Sequence, residues 1–463
     1  MYGVKIEAFA KQDQLLELVN EFLRPDQYEV LPEETDWGEA TSSGRYEKVF
    51  CFNQAGTADK YTIGREIYRT LAPETGVYPE WGVLTGVRPV KLAGELIHRL
   101  GSAAAAQEYL KDSYLLADKK ARLLTEIYER QTASLGAPAA DSVALYIGIP
   151  FCPTRCLYCS FASNQVPPAE IADYLQALLV EIRETGALMR ASGLRPESLY
   201  IGGGTPTTLT AGQLARLLGQ AAESFDLSGL AEYCVEAGRP DTIDREKLHV
   251  IRDAGVGRIS INPQTRHAAT LERIGRKHSP EEIERAFQDA LAIGFSSINC
   301  DLIAGLPEET PDDFRDSLSW AENLGADNIT VHALAVKRAS RLREIDPVFH
   351  YKQAANVKAM IDHAAEELPA QGFFPYYLYR QKHMAGSCEN VGYARPGQEG
   401  VYNVRIMDEH QTIIALGAGG ISKVYYPEEN RLERVANVTN YRQYIDRLEE
   451  MIERKRKGIF HVD

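Results

Sequence analysis

An α/β chain built on a parallel sheet is the fold class this sequence predicts, and three observations predict it. Short apolar runs alternate with amphipathic helical stretches through the middle of the chain. A small, proline-bearing stretch, Ala133-Ser-Leu-Gly-Ala-Pro-Ala-Ala-Asp141, separates that middle from a first part of different rhythm. Polar residues and glycines gather where successive apolar runs end, which is where parallel α/β folds build their sites.

Taken in order, residues 1–140 read as an N-terminal accessory α/β unit. Leu15, Leu16, Val19, Phe22 and Leu23 recur at helical spacing. Thr41-Ser-Ser-Gly44 is turn-rich, and 101–131, full of Ala, Leu, Lys and Glu, reads as helical. Strands are expected at 144–149, 198–201, 233–236, 258–261, 297–302 and 328–332. Helices are expected near 168–192, 211–225, 244–253, 280–293, 311–324 and 353–368. These make a six-unit βα core over 141–370, which right-handed crossovers wind into an open sheet or a partial barrel. From 371 to 463 a small α+β lobe is expected, with a few strands and a closing helix near 439–455.

Length and composition agree. At roughly 150 residues per domain, 463 residues suggest three domains. Apolar residues at 44% and charged residues at 25% exclude a collagen, a disordered tail and a disulfide-dense mini-protein. The net charge of -14 argues against a nucleic-acid partner, which needs a basic face. It leaves room for a local basic pocket. No run approaches the ~18 apolar residues of a membrane span. The N-terminus carries no apolar signal core, so no membrane partner and a cytoplasmic location are expected.

Seven cysteines are an odd and sparse set, and Cys152, Cys156 and Cys159 fall on one short stretch. In a cytoplasmic chain such a cluster points to metal or catalysis. Spacings of three and two intervening residues let three sulfurs converge on one face. Three thiolates do not close a four-coordinate zinc site, although a distant fourth ligand would do so. On a [4Fe–4S] cluster they leave one iron open.

The other run ends carry Gly202-Gly-Gly-Thr-Pro-Thr207, Glu236, Asn262-Pro-Gln264, Cys300-Asp301 and His332. The triple glycine lets a backbone approach a ligand closely, and Thr205 and Thr207 add hydroxyls. One polar residue at a strand end is more often a helix cap or a rim group. Glu236, Gln264 and Asp301 in the same register suggest a polar ligand with ammonium, carboxylate and hydroxyl groups.

Cys152-x3-Cys156-x2-Cys159 after a first strand resembles the signature of the radical S-adenosylmethionine (SAM) enzymes. Tyr146-Ile-Gly-Ile-Pro-Phe-Cys152, Gly202–Thr207, Glu236, Gln264, Gly275-Arg276 and Asp301-Leu-Ile-Ala-Gly-Leu-Pro307 follow the order of the oxygen-independent coproporphyrinogen III oxidases. The likeness is strong from 142 to 307 and looser through Leu416-Gly-Ala-Gly-Gly420. The run from Tyr78 to Lys91, and Glu389-Asn-Val-Gly-Tyr393, look most like the HemZ, coproporphyrinogen dehydrogenase-like branch.

The resemblance implies a partial (β/α)6 barrel in which Cys152, Cys156 and Cys159 hold a [4Fe–4S] cluster. SAM, one or two molecules per chain, would chelate the open iron. Tyr146 and Gly203 would line its adenine and methionine surfaces, with Gly204 alongside and Thr205 near the amino group. Glu236, Gln264, Arg276 and Asp301 would fix ribose, methionine and carboxylate contacts. In the family, a 5′-deoxyadenosyl radical takes hydrogen from a propionate side chain, which loses carbon dioxide and leaves a vinyl group. A low-potential donor, flavodoxin or ferredoxin, and a tetrapyrrole substrate are implied.

The chain also departs from that pattern. Well-studied members have a further cysteine two places after the third, where this chain has Phe161. After the sixth strand it reads His332-Ala-Leu-Ala-Val-Lys337-Arg338, where relatives carry an aromatic and an acidic residue. The N-terminal unit is not the short arm of those oxidases. Lys337 and Arg338 are expected to face the cavity and pair with substrate carboxylates, with a solvated pair as the competing reading. His332 is expected to line the site. Arg380, Lys382 and His383 form a second basic group. Cys51, Cys234, Cys300 and Cys388 are expected as small buried side chains. Cys388, beside Glu389 and Asn390, is the one cysteine outside the cluster read as a redox participant.

Overall fold

The computed structural model describes all residues except 8–11, 33, 43, 54–58, 87, 162, 338, 383 and 463. The chain forms two compact units, 1–128 with 379–382 and 129–378 with 383–463. No helix among the described residues is long and apolar enough to cross a membrane.

The first unit holds three parallel strands in the order β2-β1-β3: β1 (Tyr2–Ile6), β2 (Tyr28–Val30) and β3 (Lys48–Phe52). Val4, Ile6, Phe50 and Phe52 pack with Leu15, Leu18 and Val19 of helix Gln12–Val19 and with Ile63, Ile67 and Leu71 of helix Lys60–Thr75. The second helix starts at Asp59, whose carboxylate accepts from the Tyr61 and Thr62 amides. The expected helical stretch at 101–131 is two helices, Ala103–Tyr114 and Asp118–Leu135, separated at Leu115, which takes a left-handed φ of 57°.

The second unit is one open eleven-stranded sheet. Its strands are β4 (Ser142–Ile149), β5 (Arg195–Gly203), β6 (Glu232–Glu236), β7 (Arg258–Ser260), β8 (Ser297–Ala304), β9 (Asn328–Ala333), β10 (Phe374–Tyr379), β11 (Asn390–Ala394), β12 (Thr412–Leu416), β13 (Ile421–Tyr426) and β14 (Arg431–Ala436). Their order is β10-β11-β9-β8-β7-β6-β5-β4-β12-β13-β14. From β4 to β9 each strand pairs in parallel with the next, across helices Pro168–Ala191, Ala211–Ser224, Arg245–Asp253, Pro280–Ile293 and Pro311–Asn323. This is the six-unit βα series. Three of those helices open with a reciprocal capping box, Thr210 with Gln213, Ser279 with Glu282 and Thr310 with Asp313.

The segment expected as a separate C-terminal lobe is arranged differently. β12 pairs in parallel with β4, and β11 pairs antiparallel with β9. A six-stranded sheet ending at β4 and β9 would leave two rows of unpaired amides and carbonyls, and residues beyond 371 cover both. The closing helix is likewise two, Tyr441–Asp446 and Leu448–Gly458.

Alternation along the strands separates packing from chemistry. Leu145, Ile147, Leu199, Ile201, Val235, Ile259, Ile298, Leu302 and Ile329 are fully buried on one face. Burying each contributes about 1.5–3 kcal/mol relative to exposure. The residues between them include Tyr146, Tyr200, Glu236, Ser260, Asn299, Asp301, Thr330 and His332. Register sets them side by side: Tyr146 with Tyr200, Glu236 with Ser260, Ser260 with Asn299, and Asp301 with Thr330.

Candidate active site

The site begins where β4 ends. Phe151 forms an isolated bridge with Asn164, and the Cys152 amide donates to the Asn164 carbonyl at 3.1 Å, closing the cysteine loop at its base. Within the loop the Cys159 amide donates to the Cys156 carbonyl at 3.2 Å. From outside, the Leu157 amide donates to the Ile274 carbonyl at 2.9 Å, and the Thr154 hydroxyl donates to the Gly275 carbonyl at 2.9 Å. Arg239 completes the clamp. One nitrogen donates to Thr154 Oγ1 at 2.7 Å while the other side of the guanidinium holds both oxygens of Asp241 at 2.9 and 2.7 Å.

The glycine turn after β5 closes on this loop. Gly204 N donates to Ile149 O and Thr205 N to Phe151 O, each at 2.8 Å. The Thr205 hydroxyl lies 3.4 Å from Cys152 Sγ. A Cβ on Gly204 would stand 2.5 Å from Phe151 O, and Gly203 takes a φ of +112°. Only glycine fits such an approach. Burial pushes the Cys152 thiol up to about 11, and the neighbouring Cys159 and Cys156 push the same way. Cys159 is raised too, mainly by burial. A cation held among the sulfurs would release those protons.

Polar groups converge beside the turn. Tyr200 donates its hydroxyl to Glu236 Oε1 at 2.5 Å. Burial raises Glu236 to about 7, and the Asp301 charge adds to the rise. Asp301 is buried as well, which raises it, but His332 and Asn299 outweigh burial and hold it below the usual carboxylate range. Asn299 donates to Asp301 Oδ1 at 2.8 Å, and His332 Nε2 lies 3.6 Å from Oδ2. Gln264 sits at φ 71°, donates its amide to the Asp301 carbonyl at 2.9 Å, and buries an Oε1 that has no partner. Arg276 donates to the carbonyls of Asn262 and Gly238, while its Nε has no partner. The Arg276 charge is also felt by Tyr158 and Cys156.

The radical SAM superfamily model matches residues 146–321. The oxygen-independent coproporphyrinogen-III oxidase-like protein HemZ of Bacillus subtilis is 39% identical over 87% of this chain and 81% of its own length. The chain belongs to the radical SAM family of oxygen-independent coproporphyrinogen III oxidase-like proteins. A heme chaperone of the same organism, HemW, is 31% identical over 66% of this chain and 76% of its own length. The solved structure of coproporphyrinogen III oxidase, HemN, from Escherichia coli superposes with a TM-score of 0.55 at 24% identity. It covers 67% of this chain and 70% of that one, and shares the fold.

Membership of the radical SAM family implies a [4Fe–4S] cluster and SAM. Among the described residues no three His, Cys, Asp or Glu side chains converge closely enough to hold a metal ion, so the three sulfurs share one loop without meeting at a point; the chemistry of the donor set and its surroundings suits the pair. Three thiols stand on one clamped loop, a glycine cradle leaves room that a Cβ would fill, and buried acceptor atoms at Gln264 Oε1 and Asn262 Oδ1 lack partners.

Other sequence candidates fall as follows. Lys337 Nζ stands 5.4 Å from the centre of the Phe161 ring, and burial lowers its pKa while Cys159 opposes the shift. It is half-buried beside the cysteine loop. Arg338 and His383 lie outside the described residues. Arg380 and Lys382 belong to the first unit, where they pair with Glu21 and Glu17. Cys388 is buried and donates to the Gly386 carbonyl at 3.5 Å within its own turn. Cys234 and Cys300 are buried and Cys51 half-buried.

Three residues here carry no sequence signal of their own, Tyr200, Thr154 and His278, whereas Arg239 follows the third strand end among the polar residues read from the sequence. Both ring nitrogens of His278 are buried without partners, and burial, helped by Arg276, pushes it down to about 3.

Proposed function

We propose that this chain catalyses oxidative decarboxylation of coproporphyrinogen III propionates to vinyl groups, with three cysteines holding the cluster. One arrangement carries the reading: a clamped three-thiol loop faces a glycine turn and the polar residues Glu236, Gln264 and Asp301. The 39% identity to a coproporphyrinogen oxidase-like relative supports it.

When bound, the cluster and SAM would supply an electron and a 5′-deoxyadenosyl radical. The chain's own residues bind and orient. Cys152, Cys156 and Cys159 hold iron. Tyr146, Gly203, Gly204 and Thr205 would offer the surface for SAM. Glu236 and Asp301 offer carboxylates to its ammonium and ribose hydroxyls, and Tyr200 keeps one oxygen of Glu236 in place. The side-chain amide of Gln264 and the free Nε of Arg276 would be available to the SAM carboxylate. Lys337, poised at the edge of the cysteine loop, meets a substrate carboxylate.

A second reading, a haem-binding chaperone without turnover, is favoured by two observations. Phe161 occupies the place where well-studied oxidases have a further cysteine, and a heme chaperone is among the relatives. The deciding experiment is anaerobic: reconstituted protein with dithionite, SAM and coproporphyrinogen III. Carbon dioxide and a vinyl product are expected. 5′-Deoxyadenosine without that product would move the assignment to other tetrapyrrole chemistry, such as haem ring opening with methyl transfer. Tight haem binding with no SAM cleavage would establish the chaperone.

A further inference from the structure

The chain is acidic overall, yet the segments flanking its cysteine loop expose three unpaired cations, alongside the carboxylates Glu272 and Glu344. Two segments flank the loop. The Leu157 amide donates to Ile274 O at 2.9 Å, and the Leu157 carbonyl accepts from Leu342 N at 3.0 Å. Arg155, inside the loop, donates to the Ala339 carbonyl at 2.5 Å. The flanking segments expose Lys277, Arg341 and Arg343. None of these three cations has an acidic or hydrogen-bonding side-chain partner among the described residues, whereas most exposed arginines of this unit are paired.

The same rim carries apolar anchors. Ile345 is 70% exposed and Phe161 66%, the two most exposed large apolar side chains among the described residues. Phe161 lies two residues beyond Cys159, and Ile345 ends the short helix Arg341–Ile345. Exposed apolar side chains on the same flanking segments as unpaired cations are the composition of a docking site for an acidic protein. A nucleic acid or an anionic membrane fits less well. Either would meet repulsion from a chain of net charge -14 beyond this small patch.

We propose that this rim docks a small acidic one-electron carrier protein of the flavodoxin or ferredoxin type. The inference rests on the radical SAM reading above, which requires an external electron. In the docked pair one electron leaves the carrier's reduced flavin or iron–sulfur centre and enters the cluster held by the loop. No bond or proton changes hands in the rim residues, which set approach and orientation. Placing the carrier against the loop itself keeps the transfer path short and leaves the strand-end residues free for SAM and substrate.

The test compares the reconstituted wild-type protein with Arg341→Glu plus Arg343→Glu, and separately with Lys277→Glu on the other flank. Binding of oxidised flavodoxin and of a ferredoxin is measured by calorimetry at low and high salt. Bleaching of the cluster absorbance by each reduced carrier is compared with bleaching by dithionite. Wild type should bind at least one carrier saturably, with affinity falling about tenfold on raising salt. The double variant should lose about tenfold in low-salt affinity and in carrier-driven bleaching, with dithionite bleaching unchanged. Carrier binding equal to wild type, a parallel loss with dithionite, or a loaded wild type that neither carrier binds would each overturn the docking site. A wild-type chain that takes up no cluster would overturn the radical reading itself, and the docking role with it.

Discussion

Tyr200 donates its hydroxyl to Glu236 at 2.5 Å, and Gly202 lies between them with no side chain in the way. A Cβ on Gly202 would stand 2.8 Å from the Tyr200 ring and 2.9 Å from Glu236 Oε2. The tyrosine therefore holds the carboxylate that the proposed cofactor site depends on. Its hydrogen bond also lowers the Glu236 pKa against the burial that raises it. Tyr200→Phe should weaken SAM binding at neutral pH by about three- to tenfold, the net value of one ordinary hydrogen bond. Because less Glu236 is then ionised, the binding midpoint should move to higher pH. Titrations of the reconstituted protein from about pH 6 to about pH 9 check both effects. An unchanged affinity and midpoint would remove Tyr200 from the site.

Glu236 makes a second prediction, in the ligand-free protein. Its folded value of about 7 lies above the ordinary carboxylate value. Between about 4.3 and 7 the folded state holds the proton more tightly than the unfolded state, so this group's contribution to stability falls as pH rises through that window. Glu236→Gln removes the effect. The variant should match wild type near pH 4 and exceed it at pH 8 by up to about 3 kcal/mol in urea unfolding. A variant less stable at pH 8 would contradict the burial argument.

The clamp on the cysteine loop can be loosened without touching a sulfur. Thr154→Val keeps the volume but removes the acceptor for Arg239 and the donor to Gly275. It should cost about 1–3 kcal/mol of stability and speed iron loss to a chelator from reconstituted protein. Chelation at the wild-type rate would mean that the loop holds its shape without that threonine.

Lys455 and Glu181 form a fully buried ion pair at 2.6 Å. Tyr444, Asn437 and the Gly417 amide donate to the same carboxylate. Burial alone would raise Glu181, but Lys455 overcomes it and leaves the carboxyl below its ordinary range. The pair's stabilisation is therefore present above about pH 4.3 and lost as pH falls through the lower folded value. Lys455→Met strands a buried charge and should cost about 3–5 kcal/mol, read by denaturant unfolding. A loss under 1 kcal/mol, far below that range, would mean that water reaches Glu181.

The parts of this molecule that announce themselves in sequence are local. Alternation and capping residues mark β4 to β9 and the helices between them, and the cysteine, glycine and strand-end motifs mark most of the candidate site. What stayed hidden is non-local. Nothing in Thr412–Leu416 says that it pairs with β4, or in Asn390–Ala394 that it pairs with β9, because edge pairing is decided by which backbone groups remain unpaired. Tyr200 reads as an ordinary strand aromatic until the register brings it near Glu236. Arg239 and Thr154 are 85 residues apart, and only the fold joins them.

Iron stoichiometry tests most directly whether Cys152, Cys156 and Cys159 hold a [4Fe–4S] cluster, on which the proposed chemistry depends. Anaerobic reconstitution should give about four irons per chain with the matching absorbance, and Cys156→Ala should abolish both. Stoichiometric zinc without iron-linked absorbance, or full iron in Cys156→Ala, would contradict it.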